Sequence, residues 1–225
     1  MTELELMKTR HSVRRYKDVP LGEDEKTLLT KYLEEINGIS GMHFQLVTDE
    51  PRAFSSFLAR YGKFVGVSSY FALVGPKCKD FYEKIGYFGE HLVMQAHRMG
   101  LHTCWAALTY KRIPDTFAVE KGERFAMLIS VGHGKNKGLP RRSKTREDVS
   151  NISQESPDWF VRGVDGALSA PTAMNQQKFR ITLLDDGRVR LKAGIGFYTR
   201  CDLGIIRYHF EKAAGKENFE WEREL

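Results

Sequence analysis

The sequence predicts an α+β protein in which helices alternate with short strands on both sides of a basic stretch. Three observations carry this expectation. Apolar residues recur at helical spacing in several separated stretches, Phe81 to Met99 and Asp158 to Leu168 among them. Short β-rich runs lie between these stretches, and two of them are joined by the hairpin signal Asp185-Asp186-Gly187. The order helix, strand, helix occurs once before the basic stretch Lys135 to Arg146 and again after it.

Along the chain, Leu4, Leu6 and Met7 lead into the cluster Arg10-His11-Ser12-Val13-Arg14-Arg15-Tyr16. After Pro20, the acidic Glu23, Asp24 and Glu25 suit a helix start, where negative charge meets the positive end of the helix dipole. Leu28, Leu29, Tyr32, Leu33 and Ile36 continue at helical spacing, and Asn37-Gly38 is the expected stop. Met42 to Thr48 reads as a strand closed by Asp49-Glu50-Pro51, and Val65 to Val74 is strand-like in composition. The stripe Ile85, Phe88, Leu92, Val93, Ala96 and Met99 makes Phe81 to Met99 a long core helix that ends at Gly100. Gly100 to Trp105 then leads toward a strand, and Phe125 to Gly132 reads as a short buried one.

Lys, Arg, Gly and Pro dominate Lys135 to Arg146, which marks a join. The expected division is a first half over 1–134, a basic linker over 135–151 and a second half over 152–225. The second half begins with a helix over Asp158 to Leu168, then a strand over Phe179 to Leu184 and its partner over Val189 to Ala193. A helix over Asp202 to Ala214 follows, ended by Gly215. Phe44-Gln45-Leu46-Val47 with Asp49 is echoed by Phe179-Arg180-Ile181-Thr182 with Asp185, and later helices in each half carry His97 and His209. Spacing alone fits an internal duplication and two unrelated αβ units about equally.

Charge and composition narrow the function. The balance of 35 Lys and Arg against 29 Asp and Glu favours an anionic ligand, yet no block of five or six like charges forms a nucleic-acid arm. Three cysteines without CxxC spacing give neither a disulfide framework nor a zinc ribbon, which fits a reducing compartment. The first ten residues lack a signal-peptide core, and no stretch approaches roughly eighteen consecutive apolar residues. A cytoplasmic protein with no membrane or nucleic-acid partner is therefore expected.

Candidate site residues follow from donor chemistry. Arg10, Ser12 and Arg14 place two guanidinium groups and a hydroxyl within five residues, the donor set that a phosphate needs. Pro140-Arg141-Arg142-Ser143-Lys144 offers a second set of cations. Each cluster also fits a solvated basic loop. Ala170-Pro171-Thr172-Ala173-Met174-Asn175-Gln176-Gln177 puts side-chain amides before the Phe179 strand, where they can read the polar edge of a heteroaromatic ring or merely cap a turn. Cys104 has no triad partner nearby in sequence and reads as a buried inert thiol. The seven histidines show no paired ligand spacing, and neither GxGxxG nor a P-loop is present. No metal ligand and no catalytic acid, base or nucleophile is assigned.

Taken together, RHSVRRY, the long helix running into GLHTCW, the strand ending Ile129-Ser130-Val131-Gly132, the basic PRRS and the segment APTAMNQQKF resemble the flavin-dependent nitroreductase superfamily. Typical members carry a small-Pro-Ser-x-x-Asn-x-Gln-Pro-Trp segment after the first helix, and two identical chains share each FMN. Here Asn37 to Phe44 lacks that pattern, which reappears as Pro171 to Phe179 in the second half, while the second half has no Arg-x-Ser-x-Arg. The chain thus resembles the single-chain pseudo-dimer branch, in which one chain does the work of two subunits and keeps one complete site. Thr172, Lys178 and Phe179 stand where the family has Ser, Pro and Trp, and Ala106-Ala107 where it commonly has Gly.

The resemblance implies a nitroreductase-like α+β fold, a central mixed sheet of mainly antiparallel strands flanked by helices and built from two fused pseudo-symmetric halves, with FMN between the halves and NAD(P)H as co-substrate. It implies contacts to FMN from Arg10, His11, Ser12, Arg14, Ala106, Ala107, Arg141, Arg142, Pro171, Thr172, Asn175 and Gln177. Arg10, Ser12 and Arg14, with Arg141 or Arg142, would hold the phosphate end, and Pro171, Thr172 and Asn175 would close the pocket. The implied reaction is hydride transfer from NAD(P)H by way of FMN to a small-molecule electron acceptor such as a nitroaromatic or quinone, in a chain able to act as a monomer. Two other readings stay open: an FMN storage or sensor protein without turnover, and a basic interaction module without flavin.

Overall fold

Thr2 opens the first helix. Its hydroxyl accepts from the Glu5 N–H at 3.2 Å while the Glu5 carboxylate accepts from the Thr2 N–H at 2.7 Å, a capping box that satisfies two otherwise orphaned donors. The structure is a computed structural model and describes residues 2–225. Its helices are α1 (Glu3–Thr9), α2 (Glu23–Ser40), α3 (Phe57–Tyr61), α4 (Phe81–Arg98), α5 (Arg146–Val149), α6 (Asp158–Ser169) and α7 (Thr199–Ala214). The strands are β1 (Gln45–Val47), β2 (Ser69–Pro76), β3 (His102–Ala106), β4 (Glu123–Gly132), β5 (Phe179–Leu183) and β6 (Val189–Ala193). The class is α+β, with helices flanking an antiparallel sheet.

The chain forms two compact units that are not consecutive stretches. One unit gathers residues 1–10, 82–90 and 140–225; the other holds 11–81 and 91–139. Helix α4 contributes to both, and the boundary after residue 139 falls inside the stretch expected to join two halves.

In the unit of residues 11–81 and 91–139, four strands run antiparallel in the order β1-β2-β4-β3. Parallel pairing is confined to isolated bridges, Ser12 with Thr103 and Arg15 with Val65. Strand β2 is buried from Ser69 to Gly75, as its unbroken apolar run requires, and it pairs Tyr70 with Ser130 and Phe71 with Ile129 on β4. Val13, Tyr16, Phe54, Phe64, Tyr70, Cys104 and Leu128 form one buried cluster. Each large side chain buried in this way contributes about 1.5–3 kcal/mol. Helix α2 outruns its expected stop at Asn37-Gly38. The Asn37 side chain is spent on the Phe44 backbone, accepting from its N–H and donating to its carbonyl oxygen at 2.9 Å each, and the left-handed C-cap is Gly41, φ +67°. That bracket also shortens the strand expected over Met42 to Thr48 to Gln45–Val47.

The unit of residues 1–10, 82–90 and 140–225 is built around α7, which is buried along most of its length. Phe160 on α6 packs edge-on against Phe210 on α7, with ring centroids 6.0 Å apart. On the α4 side, Gly86 and Gly204 let two helix backbones touch. A Cβ added at Gly204 would fall on the Glu83 carbonyl oxygen, and one at Gly86 on the Cys201 carbonyl oxygen. Buried Arg207 ties this crossing to the C-terminal segment, pairing with Glu83, Glu211 and Glu224 at 3.6, 3.4 and 3.2 Å and lying over the Trp221 ring. The β5-β6 hairpin has the expected turn, and β6 begins at Val189, bridged to Trp221. Within the expected linker, Thr145 caps the short helix α5. No helix among the described residues is long and apolar enough to cross a membrane.

Candidate functional site

Arg10 is the residue after α1, where its backbone N–H still bonds the Met7 carbonyl oxygen at 3.3 Å while the chain turns extended. That exit leaves its side chain buried, at 6% exposure, in the same unit as Arg141. Arg141 donates from Nη2 to the Leu168 carbonyl oxygen, the penultimate residue of α6, at 2.7 Å. Burial and the charge of Arg10 pull its pKa down to about 10, opposed by Glu90, so it remains a cation at neutral pH. Two guanidinium groups therefore share poorly solvated surroundings. Both are donors only, planar and permanently charged, as phosphate recognition requires.

Behind them lies a fully buried pair. His209 Nε2 is 2.8 Å from Glu90 Oε1, and His209 Nδ1 is 3.0 Å from Ser169 Oγ. Glu90 and His209 are both wholly inaccessible. The order Ser, His, Glu looks like an acyl-transfer triad, but the Ser169 hydroxyl donates to the Gly166 carbonyl oxygen at 2.6 Å. His209 Nδ1 must then carry a proton and donate to Ser169, the reverse of what a general base for a serine nucleophile does.

The segment 171–178 is shaped by its neighbours in the same unit. Met174, Asn175 and Gln177 all have positive φ, at 51°, 54° and 44°, an unusual run for residues other than glycine. Asp202 in the first turn of α7 holds it, accepting from the Ala173 N–H and from Gln176 Nε2 at 2.9 Å each. Burial raises the Asp202 carboxyl to about 6 against these two hydrogen bonds. Gln177 is buried and spends its amide on scaffolding. Its Oε1 accepts from the Lys144 N–H at 2.8 Å, and its Nε2 donates to Ser143 Oγ and the Leu168 carbonyl oxygen at 3.1 and 3.3 Å. Asn175 is exposed and donates to the Arg142 carbonyl oxygen at 2.8 Å. The amide segment and the basic segment are thus laced together, with Pro171 buried, Thr172 half-buried and Arg142 exposed beside them.

The other sequence-predicted residues belong to the second unit. Ser12 bridges Thr103 at the edge of β3, with the Val13 N–H bonded to the Thr103 carbonyl oxygen at 3.0 Å. His11 lies against the loop at Gly138, where an added Cβ would meet its own Cβ at 2.5 Å. Arg14 is exposed, Ala106 is buried at the end of β3, and Ala107 is half-buried. Within the first unit the structure holds both Arg10 and Arg141, with the charge of Arg10 felt at Arg141, and laces Arg142, Thr172, Asn175 and Gln177 into one neighbourhood. Within the second, Ser12 pairs with Thr103 on β3, the strand that ends at Ala106.

Sequence reasoning missed Glu90, Ser169, His209 and Asp202 as members of this neighbourhood. A carboxylate in the middle of an otherwise apolar helical stripe was the available signal for Glu90, because an ionisable group in a buried stripe needs a buried partner. For Asp202 and Ser169 the sequence holds no signal, since both read as ordinary helix-terminal residues.

Comparison with known proteins places this arrangement. A family model described as "Putative TM nitroreductase" matches residues 3–214. A crystal structure of a putative nitroreductase from Thermotoga maritima is similar over 98% of this chain and 87% of that one, at 21% identity and a TM-score of 0.67. A nitroreductase-like protein from Streptococcus mutans is similar over 67% of this chain and 97% of that one, at 15% identity and a TM-score of 0.53. A putative nitroreductase from Desulfovibrio desulfuricans, solved in complex with FMN, is similar over 69% of this chain and 96% of its own, at 19% identity and a TM-score of 0.51. At these identities the likeness is one of fold. No curated protein matches the chain.

Proposed function

The chain belongs to the family described as "Putative TM nitroreductase", and from that premise we propose that it is an FMN-dependent oxidoreductase in which Arg10 and Arg141 hold the cofactor phosphate. The observation that carries this reading is that buried Arg10 and half-buried Arg141 lie in one compact unit, where the charge of Arg10 acts on Arg141. Like charges in such surroundings are costly without an anion between or beside them, and a phosphate dianion makes two charge-assisted contacts where water makes weaker ones. The residues present therefore fit the phosphate end of FMN. Arg142, Pro171, Thr172 and Asn175 of the same unit are proposed as further contacts to FMN. Gln177 serves the same site by holding the Ser143-Lys144 backbone that follows Arg141 and Arg142.

When bound, FMN supplies two-electron chemistry, taking hydride from NAD(P)H and giving it to a nitroaromatic, quinone or similar acceptor. The chain's part is electrostatic. A cation toward the pyrimidine edge of the ring would favour the reduced, more negative form and raise the reduction potential. We also propose that the chain keeps one site, because only its first part carries Arg-x-Ser-x-Arg and only its later part carries Asn-x-Gln.

The test is optical. Protein mixed with FMN and freed of excess should retain the flavin's visible absorbance, lose it under nitrogen when NADH or NADPH is added, and regain it with a quinone. Retained colour that neither nucleotide bleaches would make the chain a flavin binder without turnover. Protein that stays colourless would remove FMN altogether.

A further inference from the structure

The fully buried Glu90–His209 pair is not used by the proposed chemistry, yet the charges of both arginines on which that chemistry depends act on His209, and Arg141 bonds the carbonyl oxygen of Leu168, next to Ser169, the hydrogen-bond partner of His209. We propose that Glu90 and His209 are positioning residues that hold one shared proton beside Arg10 and Arg141, and that a tetrahedral oxyanion binds the two arginines with uptake of that proton. The proposal takes from the FMN reading only that this pair of arginines receives an anion.

The hydrogen-bond geometry fixes the proton count. Ser169 gives its only hydroxyl proton to the Gly166 carbonyl oxygen at 2.6 Å, so the 3.0 Å contact to His209 Nδ1 needs a proton on Nδ1. The 2.8 Å contact between His209 Nε2 and Glu90 Oε1 needs a second proton, carried by either atom. With both protons the pair is neutral. Without the second, a lone pair on Nε2 faces a carboxylate at hydrogen-bond distance, and the pair carries one negative charge.

The surroundings decide which state prevails. Charged groups on three other elements act on His209: Glu90 on α4, Arg10 after α1 and Arg141 in the segment before α5. On α7 itself, the buried Cys201 thiol is raised well above its ordinary range by burial, Asp202 and Glu90. Burial lowers the His209 pKa, Glu90 raises it, and the two arginines lower it again. The arginines thus favour the negative pair, because it offsets their charge. An anion bound at the arginines takes over that role and lets the pair keep its proton. By linkage, anion affinity then falls as pH rises through the titration of the pair, by up to about tenfold per pH unit for one coupled proton.

Sulfate is the probe, since it does not itself titrate near neutrality. Calorimetric titration of the full chain with sulfate, in buffers of contrasting ionisation heat from about pH 5 to pH 8, reads the protons taken up per anion bound. Burial and the two arginines hold His209 below its ordinary range, so the expected result is net uptake that sets in as pH rises through the titration of the anion-free pair in the acid part of this window, together with the falling affinity. Glu90→Gln should bind sulfate with neither uptake nor pH slope, because an amide cannot complete the negative pair. His209→Gln is the second variant should Glu90→Gln fail to fold. In ¹⁵N-histidine spectra of the unaltered protein, the His209 signals should move toward the doubly protonated form on adding sulfate if the imidazole carries the shared proton.

Sulfate that binds without proton exchange, fails to bind, or keeps its pH slope in both variants would overturn the proposal. A role in packing alone would change melting in the variants and leave the slope intact. The FMN reading fails separately: sulfate bound with proton uptake by a protein that rejects FMN sinks that reading and spares this one, whereas FMN bound by a protein whose sulfate binding is proton-neutral does the reverse.

Discussion

Arg10→Ala is expected to weaken FMN binding by roughly ten- to a hundredfold, about 1.5–3 kcal/mol, while changing riboflavin affinity little. The reasoning rests on burial. At 6% exposure the Arg10 guanidinium cannot be replaced by a neighbouring surface lysine or by bulk water. Removing it leaves one of the phosphate charges facing Arg141 alone, the condition in which a charge-assisted contact is worth most. Riboflavin lacks the phosphate, so it separates loss of this contact from general damage to the fold. Arg52→Ala is the control, because that guanidinium is exposed and already engaged by Glu50. Fluorescence titration of both ligands against both variants checks the expectation. Equal losses for FMN and riboflavin in Arg10→Ala would assign Arg10 to the fold.

Gly204→Ala should destabilise the protein by about 3 kcal/mol or more, the upper part of the range for overpacking, because the added methyl would meet the Glu83 carbonyl oxygen on α4. A backbone oxygen inside a helix cannot rotate away as a side chain can, so α4 and α7 would have to separate. Their separation would also stretch the buried Arg207 pairs with Glu83 and the His209–Glu90 contact that bridges the same two helices. A fall in melting temperature of roughly 6–12 °C is expected for a chain of this size. Gly38→Ala, in α2 with nothing within 4 Å of the new methyl, should do the opposite and stabilise by about 0.5–1 kcal/mol. Similar melting of the two variants would show that the α4–α7 approach is looser than described.

The four long helices and the β5-β6 hairpin could be read from the sequence because each is specified locally. Ile85 to Ala96 repeats at helical spacing, and Asp186-Gly187 closes its own turn with Gly187 at φ +83°. Helix α1 had a local signal as well, Thr2-x-x-Glu5, hidden by the alternation of charged and apolar residues around it. The end of α2 was misplaced because Asn37 looks like a helix stop until Phe44, seven residues away, claims its side chain. The site divides in the same manner. Arg10 and Arg141 announce themselves as cations in Arg-rich clusters, and the amides of 175–177 as an unusual run before a strand. What they touch could not be read. Glu90 to His209 spans 119 positions and Gln177 to Lys144 spans 33, so these pairings exist only once α4, α6 and α7 have packed. The Glu90–His209 contact joins the same two helices that Gly86 and Gly204 let approach, a feature that side-chain patterning does not encode.

The central claim is that this single chain carries one FMN site whose phosphate end is Arg10 and Arg141. Equilibrium titration of the purified chain with FMN, with protein mass determined in the same samples, tests it most directly. The account predicts saturation at one FMN per chain, with FMN bound at least about tenfold more tightly than riboflavin, as a phosphate held by one buried and one half-buried guanidinium group requires. Saturation at two equivalent flavins per chain, or equal affinity for FMN and riboflavin, would contradict it.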